Sequence, residues 1–124
     1  MSTSRNTPLS WRIEREVVLT DKAPLASLVS VAFDGSEYYL VARGDIPAVV
    51  GRPFDPELDI PIDRLQVSLE VEGRPAEQSS GGSTADRDTW ETLQQWEGPE
   101  PAPELRVTLE LDGRSCEYLL TLVT

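Results

Sequence analysis

Cys116 is the single thiol of the chain, and the chain has no histidine. A catalytic thiolate needs a base or a cationic neighbourhood to lower its pKa, and the usual base is missing. Cys116 also shares its strand parity with Tyr118, Leu120 and Leu122, so it reads as a core residue. The densest carboxylate cluster is Asp55, Glu57, Asp59 and Asp63. Its alternation is that of the first half of a calcium loop. Such a loop needs glycine at its sixth position and a bidentate glutamate at its twelfth; here they are Ile60 and Gln66. The cluster therefore reads as an acidic surface loop stiffened by Pro56 and Pro61. Glu70 and Glu110 could act as an acid–base pair, but both fall on the wet parity of their strands. Arg43-Gly44-Asp45 spells an adhesion tripeptide and reads as a turn ahead of Pro47. No glycine-rich phosphate loop and no nucleophile elbow is present. The expectation is a protein that is not an enzyme, with no catalytic, metal or cofactor residues.

Trp90, Leu93 and Trp96 carry the strongest hint of recognition. Their three-residue spacing would place them near one face of a helix. Asp88 can cap that helix, with Glu91 three residues on, and Gly98-Pro99 would end it. The preceding Ser79-Ser80-Gly81-Gly82-Ser83 has the composition of a flexible linker. The pattern predicts a short helix over 86–97, inside an excursion over 74–103. Two roles compete for it. As a partner-binding anchor, Trp90, Leu93 and Trp96 would exploit the enrichment of tryptophan at interface hot spots. As a cap, the helix would fold back on the sheet, because indoles bury much apolar surface.

Charge narrows the partners. The 124 residues hold 22 acidic and 11 basic side chains, a net charge of −11, and Lys22 is the only lysine. Arginine in place of lysine fits a GC-rich, bacterial genome. A chain this acidic repels nucleic acid and anionic membranes; a basic protein partner suits it better. No apolar run reaches the roughly 18 residues of a membrane span. The N-terminus has no secretory pattern, so a cytoplasmic location is expected. The oligomeric state is left open by the sequence.

The length suits one domain. Residues 1–9 read as a disordered tail, and residues 10–124 as a single β-domain. Trp11, Ile13, Val17 and Leu19 alternate with polar residues in a first strand. Val29, Val31 and Phe33 line a second. Asp34-Gly35 then predicts a hairpin of the type that needs positive φ at both turn residues, and 37–42 is the returning strand. Residues 43–61 hold Pro47, Pro53, Pro56 and Pro61, and read as an irregular crossover with an edge strand at Ala48-Val49-Val50. Leu65, Val67, Leu69 and Val71 alternate cleanly. So do Leu105, Val107, Leu109 and Leu111 on one side of Asp112-Gly113, and Cys116, Tyr118, Leu120 and Leu122 on the other. The expected core is Val29, Val31, Phe33, Leu65, Val67, Leu69, Val71, Leu105, Val107, Leu109, Leu111, Tyr118 and Leu120.

These elements predict an all-β fold: an antiparallel β-sandwich of six or seven strands with one short helix in a long loop, or a partly open β-barrel. The expected function is that of a non-catalytic acidic binding protein, an adaptor or an inhibitor of the immunity type. The competing expectation is a structural subunit of a larger assembly, such as a secretion or phage-like particle.

Overall fold

The computed structural model describes residues 8–123. It holds nine strands: β1 (Leu9–Val18), β2 (Ala26–Phe33), β3 (Tyr38–Asp45), β4 (Gln66–Val71), β5 (Arg74–Pro75), β6 (Glu77–Ala85), β7 (Thr89–Glu97), β8 (Glu104–Leu111) and β9 (Arg114–Leu122). One helical turn, α1 (Pro56–Asp59), and a 3-10 turn (Pro61–Arg64) lie between β3 and β4. All pairings are antiparallel, in the order β5-β4-β8-β9-β1-β2-β3-β7-β6.

That order has one informative property. β5 and β6 stand at its two ends, yet only Ala76 separates them in the chain. The stretch Arg74–Ala85 thus pairs with β4 at its start and with β7 along the rest, and it draws the sheet nearly closed. The other corner lies between β1 and β2. They share three residue pairs, from Leu9↔Phe33 to Trp11↔Val31, whereas β1 follows β9 from Trp11 to Val18. The result is two layers, β5-β4-β8-β9-β1 and β2-β3-β7-β6, joined at two corners. Sandwich and partly open barrel both describe it.

The core follows the two-residue period of a half-buried strand. Leu105, Val107, Leu109 and Leu111 of β8 are buried, as are Leu69, Val71, Tyr118 and Leu120. β3 adds Tyr38, Leu40 and Ala42, and β1 adds Trp11. The Trp11 indole N–H donates to the Ala102 carbonyl at 2.9 Å, and the Tyr38 hydroxyl to that of Pro99 at 2.6 Å. Both aromatics tie the return segment before β8 to the core.

The excursion differs from expectation. Residues 86–97 form no helix; β7 occupies 89–97, and the serine and glycine stretch before it is β6. Nine strands replace six or seven. The buried side of β7 is Trp90, Thr92, Gln94 and Trp96, a two-residue period hidden because its middle members are polar. The side chains of Thr92, Gln94 and Trp96 find hydrogen-bond partners, as burial demands. The Thr92 hydroxyl donates to the Gly82 carbonyl at 3.3 Å and accepts from Ser83 at 3.2 Å. The Gln94 amide oxygen accepts from the Trp96 indole at 3.2 Å. Asp86, not Asp88, fixes the start of β7. Its carboxylate accepts from the amides of Asp88 and Thr89, both at 2.8 Å.

Other corrections have equally local causes. The Asp34 hairpin forms, but through a four-residue connection in which Asp34 accepts from the amides of Ser36 and Glu37. Positive φ at both turn residues occurs instead at Glu72-Gly73 and Asp112-Gly113. A bulge between Leu28 and Ser30 turns Val29 outward, to 41% exposure, and Leu28 inward. A second bulge, between Ile13 and Arg15, sets Glu16 opposite Tyr118 and Val18 opposite Cys116, and Leu19 is exposed. Such one-residue insertions reverse strand parity. Phe33, Leu65 and Val67 are half-buried at the margin. Arg43-Gly44-Asp45 is strand rather than turn, paired with Glu91, Trp90 and Thr89. Trp90 lies flat against Gly44: a Cβ there would come within 2.6 Å of the indole. Residues 48–50 are irregular. Of the expected tail, residues 1–7 lie outside the described residues, and Leu9 already belongs to β1.

Leu109 tests the parity. It is 2% exposed in the middle of β8, so Leu109→Ala should cost roughly 2–5 kcal/mol. Urea unfolding measures it, and a loss below about 0.5 kcal/mol is the behaviour of a surface position.

Candidate functional site

The crossover between β3 and β4 joins the two layers across one end of the sandwich. Proline sets its path, and charge pairs pin it. The Asp55 carboxylate accepts from the Glu57 amide at 3.0 Å and starts α1, with Pro56 in the first helical position. Arg52 grips Asp59 with both guanidinium nitrogens, and Asp59 also accepts from the Asp55 amide at 2.7 Å. Further along, Arg64 binds both oxygens of Asp112 in the β8–β9 turn, at 2.9 and 3.2 Å. The hydrogen bond from Arg52 holds the Asp59 carboxyl below its usual pKa, and that from Arg64 does the same for Asp112. At the other end of the segment, the Ile46 amide donates to the Asp88 carbonyl at 2.7 Å.

The two ends of the segment turn apolar side chains inward: Ile46 and Pro61 are buried, and Ile60 and Ile62 pack against the core. Its middle does the reverse. Val50 is 90% exposed, Leu58 61% and Phe54 47%. Val50 and Leu58 line a groove of ≈ 280 Å³ together with Leu25, Leu111 and the paired Arg52–Asp59 and Arg64–Asp112. The carboxylates of Asp55, Glu57, Asp59 and Asp63 stand in the same stretch of chain. The acidic cluster expected to be a surface loop therefore has a structural task as well: Asp55 caps a helical turn, and Asp59 clamps Arg52. Among the described residues, no three acidic or cysteine side chains group as a metal site.

The residues singled out for recognition fall elsewhere. Trp90 and Trp96 are 1% and 5% exposed, on the inner side of β7, while Leu93 faces outward at 44%. The three do not share a face, because a three-residue spacing in a strand alternates sides. Two buried indoles offer no surface to a partner; Trp90 and Trp96 serve the core. The Trp90 indole N–H has no hydrogen-bond partner there. Val50, expected in an edge strand, and Phe54 and Leu58 carry no recognition signal in the sequence. They are apolar residues without period in a segment broken by proline.

Cys116 is fully buried. Its thiol donates to a Glu16 carboxylate oxygen at 3.2 Å, and the Tyr118 hydroxyl reaches the same oxygen at 3.5 Å. Burial, and then the hydrogen bond to Glu16, push the thiol up to about 11. Burial also raises the Tyr118 phenol. These are the surroundings of an inert thiol. No protein-family model, curated protein or solved structure matches the chain.

The thiol gives a pH prediction. Unfolded, Cys116 should react with a thiol reagent at a rate that rises through the ordinary cysteine range, near 8.5. Folded, it should stay slow through that range, because the thiolate forms only near 11. Rapid labelling of the native protein at pH 8 would contradict the burial described.

Proposed function

We propose that the protein is a non-catalytic binding module for a basic protein partner, and that it engages this partner through the β3–β4 crossover. One observation carries the reading: Val50, Phe54 and Leu58 stand exposed on a segment that proline, α1 and two arginine–aspartate pairs hold in place. Exposed apolar side chains in a group mark interaction sites, and a rigid display lowers the ordering cost of association. The surrounding carboxylates and the net charge of −11 would speed encounter with a cationic surface and select for it.

The test compares affinity capture by the parent protein with capture by the pair Val50→Asp, Leu58→Asp. Val123→Asp, at another exposed apolar position, is the control. A basic protein should be retained by the parent and the control. The pair should bind it more weakly by about 2 kcal/mol or more, the size of a hot-spot loss. Salt that shortens the screening length to about 3 Å should release it. Undiminished retention by the double variant overturns the reading. So does assembly of the parent alone into large particles, which the structural-subunit reading requires.

A further inference from the structure

β6 has a second edge. Among the described residues it pairs with β7 alone, and each of its residues from Glu77 to Ala85 is exposed. An edge of unpaired amides and carbonyls is a template for another strand, and proteins usually blunt it with charge, proline or a bulge. From Ser80 to Ala85 there is no charge and no proline, and the bulge of β6 falls earlier, between Gln78 and Ser80. We infer that β6 takes up an extended segment of a basic protein partner, which adds to it as a further strand.

The register says what such a segment looks like. On the outer side of this layer Val41 lies opposite Leu93, and Leu93 opposite Gly82. Leu93 and nearby Val29 are 44% and 41% exposed. This apolar row ends at Gly82, where a side chain would meet nothing within 4 Å. A large apolar residue placed opposite Gly82 lies two strand spacings, about 9.6 Å, from Leu93, and with no side chain on Gly82 between them it can lean across to the Leu93 side chain. Charge fixes the ends. Glu77 and Glu97 face each other at the start of β6; Asp86, Asp88 and Glu91 stand near its finish, offset in part by Arg43 and Arg87. A strand that is apolar in the middle and basic at its ends is complementary. A second copy of this chain is not, since antiparallel pairing of two β6 edges would set Glu77 of each against the Asp86 end of the other. The inference does not rest on the crossover reading, because it uses a different surface.

The experiment is amide hydrogen exchange on the full chain, with a synthetic peptide of alternating threonine and valine flanked by paired arginines. Every second amide between Ser80 and Thr84 should slow about ten-fold at saturation, while the amides bonded to β7 keep their rates. Methylating alternate peptide nitrogens, or replacing its arginines by glutamate, should abolish the effect. Leu93→Ser, at an exposed position, should weaken binding by about ten-fold without loss of fold. Unchanged exchange at β6 overturns the inference, as does the same protection without peptide that grows with protein concentration, the mark of two copies pairing. Protection at Val50, Phe54 and Leu58 alone also overturns it and leaves the crossover reading standing.

Discussion

Ala76 and Gly98 meet so closely that no methyl group fits between them. A Cβ at position 98 would lie 2.7 Å from that of Ala76 and 3.1 Å from its Cα. Ala76 is the link between β5 and β6, and Gly98 follows β7. The Ala76 amide donates to the Leu69 carbonyl of β4 at 2.8 Å. One residue therefore bonds to the first layer and packs on the end of the second. Larger side chains at either position would hold β7 away from β4, and the sheet could not fold round on itself at this corner. The rest of the core depends on that closure, because Trp90 and Trp96 share one buried cluster with Leu69, Val71, Leu105 and Val107 of the other layer.

Closure also explains the displayed surfaces. The crossover from β3 to β4 must travel from one layer to the other across the open end, and proline with two arginine–aspartate pairs sets its course. Its ends reach the core through Ile46, Ile60 and Ile62, but its middle runs over the surface, which leaves Val50 and Leu58 exposed. The exposed edge of β6 follows from the Ala76 corner itself. The first neighbour of β6 in the chain, β5, has already turned to β4, and the strand beyond the bulge at Gln78 and Ser80 is left with one partner. Serine and glycine suit it, since neither of its faces is covered.

The fold was legible where burial and hydrophobicity coincide. β4, β8 and β9 alternate without interruption, so their parity and most of the core followed directly. Where they part, the pattern misleads. Thr92 and Gln94 are buried and polar, which hid the period of β7 and let Trp90, Leu93 and Trp96 pass for a helix face. Apart from Ala85 at its end, β6 has no apolar residue to mark it as strand; its place comes from main-chain pairing and serine hydrogen bonds to β7. Single-residue bulges at Val29 and near Glu14 reverse parity with no signal in local composition. The acidic crossover was recognised as an irregular loop. The exposure of Val50, Phe54 and Leu58 has no counterpart in the sequence, because it depends on which way the crossover turns between its arginine–aspartate pairs.

Gly98→Ala is the most direct test of the closure. The added methyl group must push Ala76 or β7 aside, and overpacking of this kind costs about 1–3 kcal/mol. Because the contact joins both layers, amide exchange should quicken together at Val71 and Leu105 in one and at Leu40 and Leu93 in the other, with a single unfolding transition at lower denaturant. A variant as stable as the parent, or one in which only β6 and β7 lose protection, would contradict the account.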